Sequence, residues 1–365
     1  MFLTRLGSLN GLEQTQPSGF WARRLGRGLP SADTVGRVMA LVAPEGVRAV
    51  HHHLYSRLKR MKALGAPSHG LRVALLDGHE SHASFRRCCP GCLKRTVHTQ
   101  QGDRTQYYHR HVALSLVADD FYLMLDAEPQ RPGEDEVAAA LRLLDRVLEA
   151  SPRAFDVVLA DGLYAQSKVF NHVLSQGKDA MAVLKDDRRD LVEDALSRME
   201  GMPPTVWREE DGRVACWDLE GFTSWPQVHQ PVRVIRTRET RSVKRQLDGK
   251  REGVESRWMW VTTLSQKRVS SRAAVRMGHS RWTIENQGFN EMANRWHADP
   301  IYKHEPTAIL VFWLLAMLCL NVFLAFYRRN LKPALRQSVS MFHVARQVAS
   351  ELYVRISRGR VLVPP

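Results

Sequence analysis

Cysteine is scarce in this chain. Five residues, at 88, 89, 92, 216 and 319, are too few and too unevenly placed for a disulfide framework. An apolar leader is missing too, because Arg5 and polar neighbours interrupt the N-terminus before a signal core can form, so an intracellular, cytoplasmic chain is expected. No internal repeat or low-complexity tract is present either. Acidic residues are in deficit, with 38 Asp and Glu against 53 Lys and Arg, a net charge of +15. That field favours polyanions, nucleic acid first and an anionic membrane surface second. Long apolar runs are limited to one. Ala308 to Tyr327 holds twenty residues without a charge and is followed by Arg328 and Arg329. By length it qualifies as a membrane span. Asn321 interrupts it, however, and a fully buried core helix with no membrane is the reading expected here.

The chain has 365 residues, of which 44% are hydrophobic and 25% charged, ordinary values for a globular protein with a real core. Its basic excess is concentrated. Residues 1–65 carry ten Arg or Lys and three acids, residues 328–365 eight and one, and residues 231–281 fourteen and four. The remaining segments, 66–230 and 282–327, therefore carry about nine excess acids.

Residues 1–35 read as poorly ordered. A basic helical N-terminal region, 1–65, is expected to touch DNA, and the consecutive His51, His52 and His53 read as surface residues, splayed by helical geometry. The apolar run Leu71 to Leu76 predicts a buried strand ending in a turn at Asp77-Gly78. Strands over Tyr107–Val117 and Phe121–Leu125, with a hairpin turn at Ala118-Asp119-Asp120, and a helix over 134–150 follow. Phe155 to Ala160 predicts a second apolar strand, ending in Asp161-Gly162, with a helix near 165–176 and a strand over Ala180–Leu184 after it. The order β-β-β-α-β-α-β predicts a mixed α/β sheet in which adjacent first and fourth strands bring both aspartates to one edge. Residues 66–185 then form the first part of a mixed α/β core and 186–270 a β-rich stretch. Residues 271–330 form a helical closing part carrying Glu285, and 331–365 a basic tail.

Two carboxylates at neighbouring strand ends, joined by a third from a helix, suit hard divalent cations. Mg²⁺ or Mn²⁺ take few carboxylates and leave positions for water and phosphate oxygens. A pair of such ions runs in-line phosphoryl displacement. Arg281 lies four residues before Glu285, a helical spacing that lets its guanidinium orient a carboxylate or reach a phosphate.

These segments resemble an insertion-sequence DDE transposase of the type with a β-rich insertion before the glutamate. The resemblance rests on Leu75-Leu76-Asp77-Gly78, on Leu159-Ala160-Asp161-Gly162-Leu163-Tyr164 and on Arg281 to Asn290, and it covers roughly residues 70–327. Spacings of 84 residues from Asp77 to Asp161 and 124 from Asp161 to Glu285 fit the inserted-domain type. The resemblance implies a ribonuclease H-like mixed sheet flanked by helices, with an inserted β-rich subdomain. It also implies metal binding by Asp77, Asp161 and Glu285 with Arg281 in support, and two Mg²⁺ or Mn²⁺ ions. Its further implications are strand cleavage and strand transfer on transposon ends and target DNA, a homodimer in the DNA complex, and a bacterial, nucleoid-associated setting. Tryptophans at 207, 217, 225, 258 and 260 offer stacking surfaces for an unpaired base, although core packing accounts for any one of them. The family signature Tyr-(x2)-Arg-(x3)-Glu-(x6)-Lys is met only at Arg281 and Glu285. Gly278 and Met292 stand at the tyrosine and lysine positions, leaving a phosphate contact to Arg295 or Lys303. Two other readings remain open on sequence alone: a degraded transposase that only binds DNA, and a basic membrane-anchored protein with residues 308–327 as its span.

A second constellation is Cys89-Pro90-Gly91-Cys92 followed by His98, His109 and His111. Cys89, Cys92, His98 and His109 offer a Cys2His2 set for structural Zn²⁺, with Cys88 a further donor; reduced cysteines in a loop are the alternative. His79 and His82 read as polar loop residues near Asp77.

Overall fold

A computed structural model describes residues 1–16, 19–65, 67, 70–118, 121–185, 188–209, 212–244 and 251–357, apart from the side chains at 82, 243, 244 and 357. The chain divides into two compact units. One comprises Met1–Gly65, Gly78–Ser151 and Thr283–Pro365, the other Ala66–Asp77 and Pro152–Trp282.

In chain order, helices α1 (Leu9–Glu13), α2 (Gly19–Leu25), α3 (Ala32–Met39) and α4 (Pro44–Arg60) precede strands β1 (Val73–Ser84), β2 (Leu93–Thr99), β3 (Gly102–Ala118) and β4 (Phe121–Pro129). Then come α5 (Glu136–Ala150), β5 (Val157–Ala160), α6 (Ser167–Ser175), β6 (Asp179–Val183) and α7 (Arg189–Met199). Strands β7 (Thr205–Glu209), β8 (Gly212–Phe222), β9 (Val232–Lys244) and β10 (Arg251–Thr262) follow. Helices α8 (Ser271–Ser280), α9 (Asn290–Arg295), α10 (Pro306–Asn330), α11 (Pro333–Ser338) and α12 (Met341–Ser357) come last among the described residues.

In the second unit the first residues of β1 pair in parallel with β5, and β5 pairs in parallel with β6. All four residues of β5 are buried, as expected of a strand covered on both faces. The strands of the β-rich stretch continue this sheet. β10 pairs antiparallel with β6, Trp260 opposite Val183, and the order runs on through β9, β8 and β7. Parallel and antiparallel ladders flanked by helices make a large mixed sheet, as expected of the ribonuclease H-like class. Helix α7 lies inside the stretch read as β-rich from sequence.

The first unit is organised around α10. This helix is long and apolar enough to cross a membrane by length and composition, and 67% of its most apolar stretch is buried against protein. Glu305 caps it by accepting the Ala308 N–H at 2.7 Å, and Pro306 occupies its first turn, where no N–H is needed. The polar interruption at Asn321 is a structural fastening. Its Oδ1 accepts the Met124 N–H at 3.0 Å and its Nδ2 donates to the Met124 carbonyl at 2.6 Å. Met124 adjoins a bulge in β4, where Leu114 faces Asp126 but Ser115 faces Met124, so that Leu125 is the extra residue. Asp126 and Glu128, two apart on β4 and nearly buried, are countered by Arg48 from α4 and by Arg142 and Arg146 from α5. Buried carboxylates persist because these guanidinium groups meet them.

Several expectations change here. Residues 1–35 are partly helical, with Ser8 capping α1 by accepting the Gly11 N–H at 2.8 Å and Phe2, Leu9 and Leu29 buried. His51 is a core residue, 2.8 Å from the Leu314 carbonyl, rather than a surface one. β1 does not turn at Asp77-Gly78 but runs on to Ser84. Gly78 serves close packing there, since a Cβ would lie 2.2 Å from Glu136 Oε1. The turn placed at Asp119 and Asp120 lies outside the described residues.

Candidate active site and the clusters around it

Parallel pairing sets the two aspartates level. Val73 faces Val157 and the register holds through Leu76 opposite Ala160, so the next residue on each strand is Asp77 or Asp161. Neighbouring strands lie about 4.8 Å apart, and matched positions point to the same face. Asp161 also caps the short 3-10 turn Gly162–Tyr164, its Oδ1 accepting the Leu163 N–H at 2.8 Å, which fixes its rotamer. The Asp77 and Asp161 side chains are 17% and 28% exposed, enough to admit water and a ligand without losing their supports.

Each aspartate has a cation beside it. Arg281 follows α8 and puts Nη1 3.5 Å from Asp77 Oδ2, while its guanidinium lies over the Trp282 ring at 4.6 Å. Lys185, just beyond β6, has Nζ 4.0 Å from Asp161 Oδ2. Its stem passes over Gly162, where a Cβ would come within 2.7 Å of Lys185 Cδ. Sequence reasoning missed Lys185 and Trp282. The signal for Lys185 was its place one residue after the apolar run of β6. For Trp282 it was adjacency to Arg281.

Glu285 belongs to the first unit, and its backbone is not the plain α-helix expected from sequence. The chain turns at Arg281, and Ile284–Phe289 winds as a π-helix in which the Asn290 N–H bonds to the Glu285 carbonyl. The Glu285 side chain is exposed on that turn. Packing beneath it explains the widened winding. Gly288 sits against the Met124 sulfur, 3.3 Å from where a Cβ would be, and the Tyr122 hydroxyl donates to the Gln287 carbonyl at 3.0 Å. Burial raises the Tyr122 phenol far above its ordinary pKa, the Glu291 charge adding to this, so it stays protonated as a donor. Single π turns of this kind recur at functional sites.

One of the two unmet signature positions has a steric cause and the other a cause in desolvation. A Cβ at Gly278 would lie 2.6 Å from the indole of the buried Trp260, so no side chain fits. Met292 is fully buried, where a lysine ammonium would lose its hydration without a partner. Of the substitutes, Arg295 is engaged by Glu291 and lies over Phe342 at 4.5 Å, and the stem of Lys303 packs over Gly36.

Among the tryptophans, Trp225 and Trp260 are core residues. Trp258 stacks on Trp260 at 6.1 Å and meets Trp282 edge-on at 6.1 Å, leaving the half-exposed Trp282 as the outer face of the group. Within the basic stretch 231–281, Arg233 is buried in a pair with Asp218, its Nε 2.8 Å from Oδ1, and does not present charge to solvent.

In the first unit, Cys89, Cys92 and His109 come together. His98 does not join them. It sits on the exposed β2–β3 hairpin with Nδ1 2.6 Å from Asp103 Oδ1. His304 takes the fourth place, and Cys88 is exposed. His111 and His79 both stack on Trp313, at 5.5 and 5.2 Å, and His79 Nε2 lies 2.9 Å from Asp299, so His79 is a packed strand residue rather than a loop one. The His82 side chain lies outside what the structure describes.

The chain matches the protein family described as Transposase DDE domain over residues 69–322. No curated protein matches it.

Proposed function

The chain belongs to the transposase DDE-domain family, and from that premise we propose that it cuts DNA at the ends of an insertion sequence and joins the freed ends to target DNA. Asp77, Asp161 and Glu285 are the metal-binding carboxylates in this reading, and Arg281 is a positioning residue. The observation that carries it is the parallel register of β1 and β5, which puts two aspartates side by side at neighbouring strand positions in a chain of this family.

The donor set fits divalent metal ions of the hard kind. Carboxylate oxygens, partly open to water and with no thiolate or imidazole among them, suit Mg²⁺ or Mn²⁺. Bound there, two such ions would supply Lewis-acid activation of the attacking oxygen and charge neutralisation at the leaving one. The chain's own groups do the positioning. The Leu163 N–H holds the Asp161 carboxylate, and Arg281, steadied by Trp282, holds that of Asp77. Lys185 is placed to meet a phosphate oxygen once DNA arrives, and the exposed face of Trp282 suits a base lifted from the helix.

In the first step water displaces the 3′-oxygen from the phosphodiester at the element's end, leaving a 3′-hydroxyl and a 5′-phosphate. In the second, that hydroxyl displaces a 3′-oxygen of target DNA, so one phosphodiester forms for each one broken. Two copies of the chain bridging two DNA ends, acting in the cytoplasm at the nucleoid, complete this reading. The basic segments 1–65 and 331–365 contribute to holding the ends.

The test is a strand-cleavage assay on flanking element ends with Mg²⁺ or Mn²⁺, run beside a gel shift. Wild type is expected to nick, and Asp77→Ala and Asp161→Ala are expected to bind DNA without nicking. Equal nicking by Asp161→Ala would reject the assignment. DNA binding without cleavage by wild type would reduce the protein to a DNA-binding relic of the family.

A further inference from the structure

The four donors of the Cys/His cluster come from three separate stretches of the first unit. Cys89 and Cys92 lie in the turn before β2, where the Cys92 N–H bonds to the Cys89 carbonyl at 3.0 Å and the Cys89 N–H donates to Cys92 Sγ at 3.2 Å. N–H···S bonds of this kind orient a thiolate ligand from behind. His109 stands on β3, and its ring presents Nε2 to both sulfurs, 3.4 Å from Cys89 Sγ and 3.3 Å from Cys92 Sγ. His304 arrives from 212 residues beyond Cys92 in sequence, immediately before α10, with Nε2 3.3 Å from Cys92 Sγ. Gly91 makes that approach feasible, because even a Cβ there would come within 3.0 Å of Pro306.

Four of the six donor–donor spacings in this cluster match the edges of a tetrahedron around a metal. Zinc held at about 2.3 Å from sulfur and about 2.0 Å from nitrogen requires edges of roughly 3.8 Å between sulfurs and roughly 3.5 Å between sulfur and nitrogen. The sulfurs of Cys89 and Cys92 are 3.7 Å apart, and three sulfur–nitrogen edges, from His109 to both sulfurs and from His304 to Cys92, run from 3.3 to 3.4 Å. All four donor atoms lie within 4.8 Å of one another. A disulfide is not the explanation, because the two cysteines are free and their sulfurs are well beyond bonding distance. Cys92 and His109 are buried while Cys89 and His304 keep partial exposure, which gives an ion a way in.

We propose that Cys89, Cys92, His109 and His304 bind one structural zinc ion that fastens the base of the β2–β3 hairpin to the start of α10. Four protein ligands close the coordination sphere, so the ion holds structure and leaves no position for substrate. It is a different kind of site from the carboxylates. Soft sulfur and imidazole donors hold zinc through gel filtration, whereas a carboxylate site exchanges Mg²⁺ freely.

Metal analysis of the full-length protein, purified from zinc-supplemented cells and desalted, tests this. One zinc per chain is expected in wild type, in His98→Ala and in Asp161→Ala, with loss in Cys92→Ser and His304→Ala. Asp161→Ala separates this site from the proposed catalytic one. Because a ligand variant can fail to fold, cobalt titration of zinc-stripped wild type and of His304→Cys supplies a second reading. Wild type should show the visible bands of tetrahedral cobalt with thiolate charge transfer. His304→Cys should stay tetrahedral with a stronger charge-transfer band from its added thiolate. Zinc-free wild type without a tetrahedral cobalt spectrum would overturn the proposal, as would full zinc in His304→Ala or zinc loss in His98→Ala.

Discussion

At the scale of single residues, two buried polar groups, Asn321 and His51, fasten the first unit. Asn321 satisfies both backbone groups of Met124 beside the β4 bulge, so Asn321→Leu strands a buried N–H and a buried carbonyl. A loss of about 2–4 kcal/mol is expected, read as a lowered denaturant midpoint with unchanged slope. An unaltered midpoint would mean that the two bonds contribute nothing. His51 controls a pH response. Its Nε2 must carry the proton, because the Leu314 carbonyl can only accept. Burial holds its pKa below the ordinary histidine value, opposed in part by that bond and by the Asp126 charge. The unfolded chain therefore takes up the proton first. This contribution to stability is complete above about pH 6.5 and is lost as pH falls below it, by at most about 1.4 kcal/mol per pH unit. His51→Gln keeps a donor but not the titration, so its stability should fall less steeply between pH 7 and 5 than that of wild type. Parallel curves would exclude His51 as a source of the slope. Residues of this kind were hard to read from sequence. Asn321 looked like an interruption and His51 like a surface residue, because neither pattern says which partner a polar group meets in the core.

At the scale of elements, the apolar runs 71–76 and 155–160 announced their strands, and the Asp-Gly endings announced the aligned aspartates. The extension of β1 past Asp77 was hidden, since Gly78 reads as a turn yet is needed for the approach of Glu136. Strand β2 was hidden as well, because its charged, half-exposed residues lack an apolar stripe. The π winding at Glu285 follows from contacts with Tyr122 and Met124, which lie more than 150 residues away in sequence. His304 escaped notice for the same reason, while His98 was favoured by its nearness in the chain. At Gly278 the element itself makes the prediction. α8 can lie on Trp260 only without a side chain there, so Gly278→Ala should cost about 1–3 kcal/mol despite the better helix propensity of alanine. Tryptophan fluorescence during unfolding reads this directly, and a stabilised variant would refute the packing argument.

At the scale of the whole molecule, the charge distribution gives the DNA-facing expectation its magnitude. With basic excess at both ends of the chain and across 231–281, a complex that neutralises six to ten phosphates should lose on the order of a thousandfold in affinity or more between 50 and 200 mM salt. A salt-insensitive affinity would contradict a phosphate-dominated interface.

The central claim is that Asp161 binds a catalytic metal ion, and a metal-preference switch tests it most directly. Asp161→Cys replaces a hard ligand by a softer one while keeping a donor at the same strand end. Strand cleavage by this variant should vanish in Mg²⁺ and return in part in Mn²⁺, with wild type active in both. Wild-type rates for the variant in Mg²⁺ would contradict the claim.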